Sequence, residues 1–204
     1  MATALRAIQR RIVRLSASAG VPHDGLALAR ALAMTTYRTR SEFSTRFHNE
    51  PNPTGPHITF PAEEYVIARG EHYADRTAPD DFCALTLSLD LHAVTPEAIR
   101  VPATLIGVVE DQLVSIESIR QLHRRLGGQS NLVELASVFG HDAFLKDEER
   151  IGPVIAAALE GKADLSVFGQ NETPTSNHAR AALGRYLDDA GEDGNIRSRF
   201  PESV

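Results

Sequence analysis

The 204-residue chain has no tryptophan, aromatic residues make up 6% of it, and Cys83 is its one cysteine. A lone cysteine excludes an intrachain disulfide and suits a reducing cytoplasm. Cys83 sits in the apolar run Asp81-Phe-Cys-Ala-Leu85, which reads as packing and not as a reactive thiol. No stretch approaches the length of a membrane span, and the amino terminus carries charge without an apolar h-region, so a soluble, cytoplasmic protein is expected. The eight histidines include no H-E-x-x-H pair and no ligand cluster, which argues against a metal site. Gly127-Gly128 and Gly140 are not followed by the Lys-Ser or Lys-Thr of a phosphate loop, and no dinucleotide fingerprint occurs; no intrinsic cofactor is expected. The formal net charge of -6 comes without a concentrated basic excess, so nucleic acid is an unsuitable partner. The one basic cluster, Arg6, Arg10, Arg11 and Arg14, has helical spacing and reads as a solvated helix face.

What is present is an ordinary globular composition, 42% hydrophobic and 24% charged, enough for one domain with a sizeable core. Residues 3–15 have helical periodicity, and Asp24 stands where an amino cap belongs before the helix Gly25 to Met34. The Pro- and Gly-rich stretch at 48–56 predicts a surface loop, and 62–76 and 80–92 predict two further helices. After Val101 the pattern becomes strand, helix, strand, helix over 103–109, 115–126, 131–136 and 143–159, with Gly127-Gly128 expected to stop the crossover helix in the left-handed conformation. Beyond Gly161 the chain turns polar, with a short helix conceivable at 179–187.

Each predicted strand hands a chemically capable side chain to the loop at its carboxyl end: Asp111 after the first and His141 after the second. That edge of a parallel sheet is where ligands bind, and one crossover helix brings two such loops together. Asp111 and His141 are therefore candidates for the acid and base of a nucleophile-His-Asp triad. Taken singly, Asp111 also reads as a loop carboxylate capping the next helix and His141 as a turn residue. Asp142 suits a substrate ammonium group or, equally, the amino cap of the helix at Ala143. Arg30 is the one charged residue between Asp24 and Arg38, so it needs an acidic partner, a route to water or an anionic ligand. Tyr37, seven residues on, lies about 20 degrees away around the helix and shares its face. No G-x-S-x-G occurs in the 204 residues, so the serine elbow of such an enzyme is expected upstream of Met1. Ser88, Ser115 and Ser137 are the first alternatives.

The runs Ala27-Leu-Ala-Arg-Ala-Leu-Ala-Met-Thr-Thr-Tyr37-Arg38, Gly107-Val-Val-Glu-Asp111-Gln-Leu and Gly140-His-Asp-Ala-Phe-Leu145 resemble, in order and spacing, the carboxyl-terminal half of the homoserine O-acyltransferases of the alpha/beta-hydrolase superfamily. The resemblance is to the acetyl- and succinyltransferases of methionine biosynthesis and spans roughly residues 1–160. It implies an α/β fold: a helical lid at 1–95, the last two parallel strands and helices of a hydrolase core at 96–160, and a polar, flexible tail at 161–204. It further implies transfer of an acetyl or succinyl group from acyl-CoA to the hydroxyl of homoserine through an acyl-serine. His141 would be the base, Asp111 its orienting acid, Arg30 and Tyr37 contacts to the substrate carboxylate, and Asp142 a contact to its amino group. Serine is an alternative acceptor. The opening Met-Ala-Thr-Ala-Leu-Arg looks like an internal stretch of such an enzyme, which implies a truncated or split product, inactive alone, whose partner is an amino-terminal half carrying the nucleophile and oxyanion hole. Lid helices could pair across a two-fold axis into a homodimer. A carboxylester hydrolase and a catalytically inactive product are the competing classes.

Overall fold

The computed structural model describes residues 2–53, 57–162 and 164–169; the helix considered at 179–187 lies outside them. Five helices come first: α1 (Ala2–Ser18), α2 (Pro22–Tyr37), α3 (Arg40–Arg46), α4 (Pro61–Ala74) and α5 (Pro79–Leu91). Three of them, α2, α4 and α5, open on proline, whose missing N–H would have no partner in a first turn. Pro22 therefore starts α2 ahead of the expected cap: Val21 is the cap residue and Asp24 lies inside the first turn, where its charge still suits the positive end of the helix.

The α2 face is made of small residues, with Gly25, Ala27, Ala29, Ala31 and Ala33 all buried. Small side chains let backbones approach: a Cβ at Gly70 of α4 would run into the Ala27 carbonyl oxygen. Val13, Leu26, Ala27, Ala29, Ala74 and Phe82 form the core here, with Cys83 packed against it. The basic cluster departs from expectation. Arg6 and Arg10 both reach Asp90 at the end of α5, at 2.6 and 2.7 Å, and Arg10 is buried; only Arg11 and Arg14 form the solvated face.

A 3-10 turn at Pro96–Ala98 leads into β1 (Ala103–Val108), α6 (Ile116–Arg125), β2 (Ser130–Leu135), a second 3-10 turn at Gly140–Asp142, α7 (Ala143–Lys146) and α8 (Glu148–Leu159). The strands pair in parallel, Ala103 opposite Ser130 through Val108 opposite Leu135, as a βαβ connection through α6 requires. Gly127 and Gly128 do not adopt the expected left-handed conformation; among the described residues only Gly20, Gly140 and Gly161 have positive φ. Their role is clearance, because a Cβ at either would strike the carbonyl oxygens of Glu97 or Arg100. The last predicted helix is in fact two, broken at Asp147 (φ -108°, ψ 51°), whose carboxylate accepts from Ser137 Oγ at 2.6 Å. Val133, Leu135, Val138, Phe139, Ile151 and Val154 form the second core, and Leu165 joins it, so the tail expected to be polar begins with a buried anchor. No helix among the described residues is long and apolar enough to cross a membrane.

Candidate active site

Both strands end at one edge, and the chain there folds into two adjacent loops. After β1 the Asp111 carboxylate is held by its own turn, its Oδ1 accepting from the amides of Leu113 at 2.7 Å and Val114 at 3.0 Å. After β2 the chain enters the turn Gly140-His141-Asp142, where Gly140 takes φ 58°. Only glycine does so without strain, and a Cβ there would stand 3.1 Å from Thr39 Cγ2. The turn carries His141 to Asp111, Nδ1 to Oδ2 at 2.8 Å.

This contact fixes the imidazole chemistry. With Nδ1 donating to the carboxylate, Nε2 is the basic nitrogen. The hydrogen bond donated to Asp111 holds the His141 pKa above the ordinary 6.5, outweighing the opposing effect of burial, and Asp142 adds to the rise. Burial would raise the Asp111 carboxyl, but the bonds from His141, Val114 and Leu113 together bring it below 3.8. The Tyr37 ring lies 5.6 Å and the Phe144 ring 6.0 Å from the imidazole, centre to centre. Beside the pair opens a cleft of about 350 Å³ that also includes Ile106, Val108, Val114 and Ile155 in its lining.

Arg30 and Tyr37 come together as their shared face predicts. Arg30 Nη1 donates to the Tyr37 hydroxyl at 3.0 Å, and the guanidinium carbon lies over the rings of Tyr37 and Tyr73, 4.9 Å from each centre. A cation held by two aromatic faces keeps N–H donors for an anion. Asp142 occupies the cap position of α7 but makes no capping hydrogen bond. Its carboxylate instead faces Arg38 at 3.7 Å and Lys146 at 3.6 Å.

The alternative serines are engaged elsewhere. Ser88 Oγ donates to the Leu85 carbonyl, Ser115 caps α6, and the buried Ser137 donates to Asp147; the hydrogen bond to His141 comes from none of them. Among the described residues no group of three His, Cys, Asp or Glu could hold a metal ion.

Sequence reasoning passed over Arg38, Thr39, Glu42, Glu110 and Lys146. Thr39 caps α3, accepting from the Glu42 amide at 3.0 Å, and the Thr-x-x-Glu spacing was the available signal. Glu110 accepts from the Ser137 amide at 2.8 Å, linking the loops from below; nothing local in the sequence marks that contact.

No protein-family model matches the chain. A homoserine O-succinyltransferase of Xanthomonas campestris is 42% identical over 158 residues, 78% of this chain and 43% of the relative. A serine O-succinyltransferase of Litchfieldella anticariensis is 32% identical over 76% of this chain and 50% of its own length. A homoserine O-acetyltransferase of Mycolicibacterium smegmatis is 30% identical over 68% of this chain and 40% of its own length. The chain thus spans about half, or less, of the length of these relatives. Among solved structures, esterase E22 superposes with a TM-score of 0.63 at 18% identity, over 82% of this chain and 50% of that one. The homoserine O-acetyltransferase of Bacillus anthracis gives 0.56 at 14% identity, over 69% and 44%. Over the span it shares with these proteins, the chain belongs with the homoserine O-acyltransferases, and it shares the fold of esterase E22 and of the Bacillus anthracis enzyme.

Proposed function

We propose that this chain supplies the acid–base pair and part of the acceptor site of an acyltransferase that moves an acetyl or succinyl group from acyl-CoA to the hydroxyl of homoserine. The observation that carries the reading is the 2.8 Å bond between His141 Nδ1 and Asp111 Oδ2 at the carboxyl edge of two parallel strands. Nε2 of His141 takes the proton of a serine lying outside these 204 residues as that serine attacks the thioester carbonyl. It returns the proton to the departing thiol of coenzyme A. In the second half-reaction it deprotonates the acceptor hydroxyl, which attacks the acyl-serine, and it returns that proton to the serine oxygen. Asp111 holds the tautomer and stabilises the imidazolium in both. The Arg30 guanidinium receives the acceptor carboxylate, Tyr37 orients that guanidinium, and Asp142 faces the acceptor ammonium. No intrinsic cofactor or metal takes part. A separate segment bearing the serine and oxyanion-hole amides is the required partner, and the cytoplasm is the compartment.

The test is thiol release from acetyl-CoA and succinyl-CoA in the presence of homoserine or serine, with the 204-residue chain alone and with a serine-bearing amino-terminal segment of a relative added in trans. The chain alone should release no thiol above background. The reconstituted pair should turn over, His141→Ala should abolish turnover, and Asp111→Asn should lower it by about 10⁴. Turnover by the chain alone, or ester hydrolysis without transfer to either amino acid, overturns the proposal.

A further inference from the structure

Between α2 and α3 the chain turns through Arg38 and Thr39, both buried, and reaches Glu42, whose exposure is 0%. Each of the three is bonded to a loop that holds Asp111 or His141, or to a residue that is. Thr39 Oγ1 donates to the Val138 carbonyl at 2.6 Å, tying α3 to the segment that precedes His141. The Arg38 carbonyl accepts from Gln112 Nε2 at 3.1 Å, and Gln112 follows Asp111 directly. The Arg38 guanidinium bonds Glu42 and lies 3.7 Å from Asp142. Lys146 closes the group, 3.9 Å from Glu42 and 3.6 Å from Asp142.

Two cations and two carboxylates therefore meet with little water, their side chains 0% to 13% exposed. Burying charge is unfavourable unless it is compensated, and removal of one member leaves the others uncompensated. Such a group acts through its demand for one arrangement of the segments that carry it. Here the segments are α3, the turn with His141 and the helix after it.

We propose that Glu42 and Arg38 are positioning residues for His141, holding the Gly140–Asp142 turn through Asp142 and Lys146 so that the imidazole stays within reach of Asp111. The catalytic consequence rests on the acid–base reading of Asp111 and His141. The geometric claim is testable without turnover.

Imidazole ¹⁵N spectra of the full 204-residue chain report the tautomer and titration of each histidine, and His141→Gln assigns the signal. The acids facing His141 are Asp111 and Asp142, and the cations facing Glu42 are Arg38, Lys146 and Arg46. Through space alone, Glu42→Gln would lower the His141 midpoint and Arg38→Met would raise it, because a nearby cation disfavours imidazolium. A positioning role predicts a lower midpoint in both, toward the ordinary 6.5, because in both the ring leaves Asp111. Opposite shifts, or none, overturn the proposal. Where circular dichroism shows that these variants do not fold, Lys146→Met decides, since this ammonium touches both Glu42 and Asp142 and through space alone its loss would raise the His141 midpoint. A lower midpoint supports positioning and an unchanged or higher one refutes it. Either result leaves the acyl-transfer reading to its own assay, so the two proposals fail separately.

Discussion

The helical core and the sheet core are closed in different ways. Around α2 the packing depends on small side chains: Gly25, Gly70 and the alanines let helices meet backbone to backbone, leaving no space for adjustment. The sheet core is built from Val133, Leu135, Phe139, Ile151 and Val154, larger side chains that fill space by interlocking. It is also open on one side, for Ile106 and Val108 are only partly buried and Phe144, Leu145 and Ile155 are exposed. A close-packed region resists enlargement and an interlocked one resists truncation. An open face tolerates both.

Enlarging the tight contact should have the greatest effect. Gly70→Leu, against a backbone carbonyl that cannot rotate aside, should destabilise the chain by about 3 kcal/mol, read from urea unfolding. A change below the error of the midpoint would show that α4 is free to slide on α2. In the sheet core Val154→Ala, at 0% exposure, should cost about 2 kcal/mol, whereas Ile155→Ala, at 49%, should stay within about 0.5 kcal/mol. Equal losses at these neighbours would mean that the face carrying Ile155 is covered in solution. The smallest effect concerns the edge between the two cores. His141 has a raised pKa, so its contribution is complete below 6.5 and is lost as pH rises through the folded value. Asp111 has a lowered one, so its contribution is present above 3.8 and is lost as pH falls through the folded value. Melting temperatures followed across both windows should show both losses in the native chain and lack them in Asp111→Asn. Identical profiles would mean that the pair adds nothing to stability.

Much of this architecture is legible along the chain because it has local causes. The prolines at 22, 61 and 79 start helices, and alternation from strand to helix after Val101 marks the βαβ unit. Asp111 and His141 were identifiable because strand ends in a parallel sheet are points of convergence, whatever the surrounding packing. Apart from α3 and its Thr39 cap, what escaped notice was long-range. Asp90 pairing with Arg6 and drawing Arg10 out of solvent depends on α5 lying across α1, 84 residues away for Arg6. Leu165 looked like the start of a polar tail because it packs into the cluster that holds Val133 and Leu135 and not against its chain neighbours.

Glycine shows the limit most directly. Gly140, Gly127 and Gly128 are alike as letters, yet the first serves through its positive φ and the others through the carbonyls that pass beside them. Sequence alone determined the order of most elements, α3 and the break at Asp147 excepted, together with the parallel pairing and the two residues at the sheet edge, because these follow from periodicity, breakers and the handedness of the chain. Tertiary structure alone decided that Asp142 faces Arg38 and Lys146 and that Glu42 is sealed from water behind them. Those contacts join α3 to the loop after β2 across about a hundred residues, and the stability of a buried charge depends on which partners surround it in space.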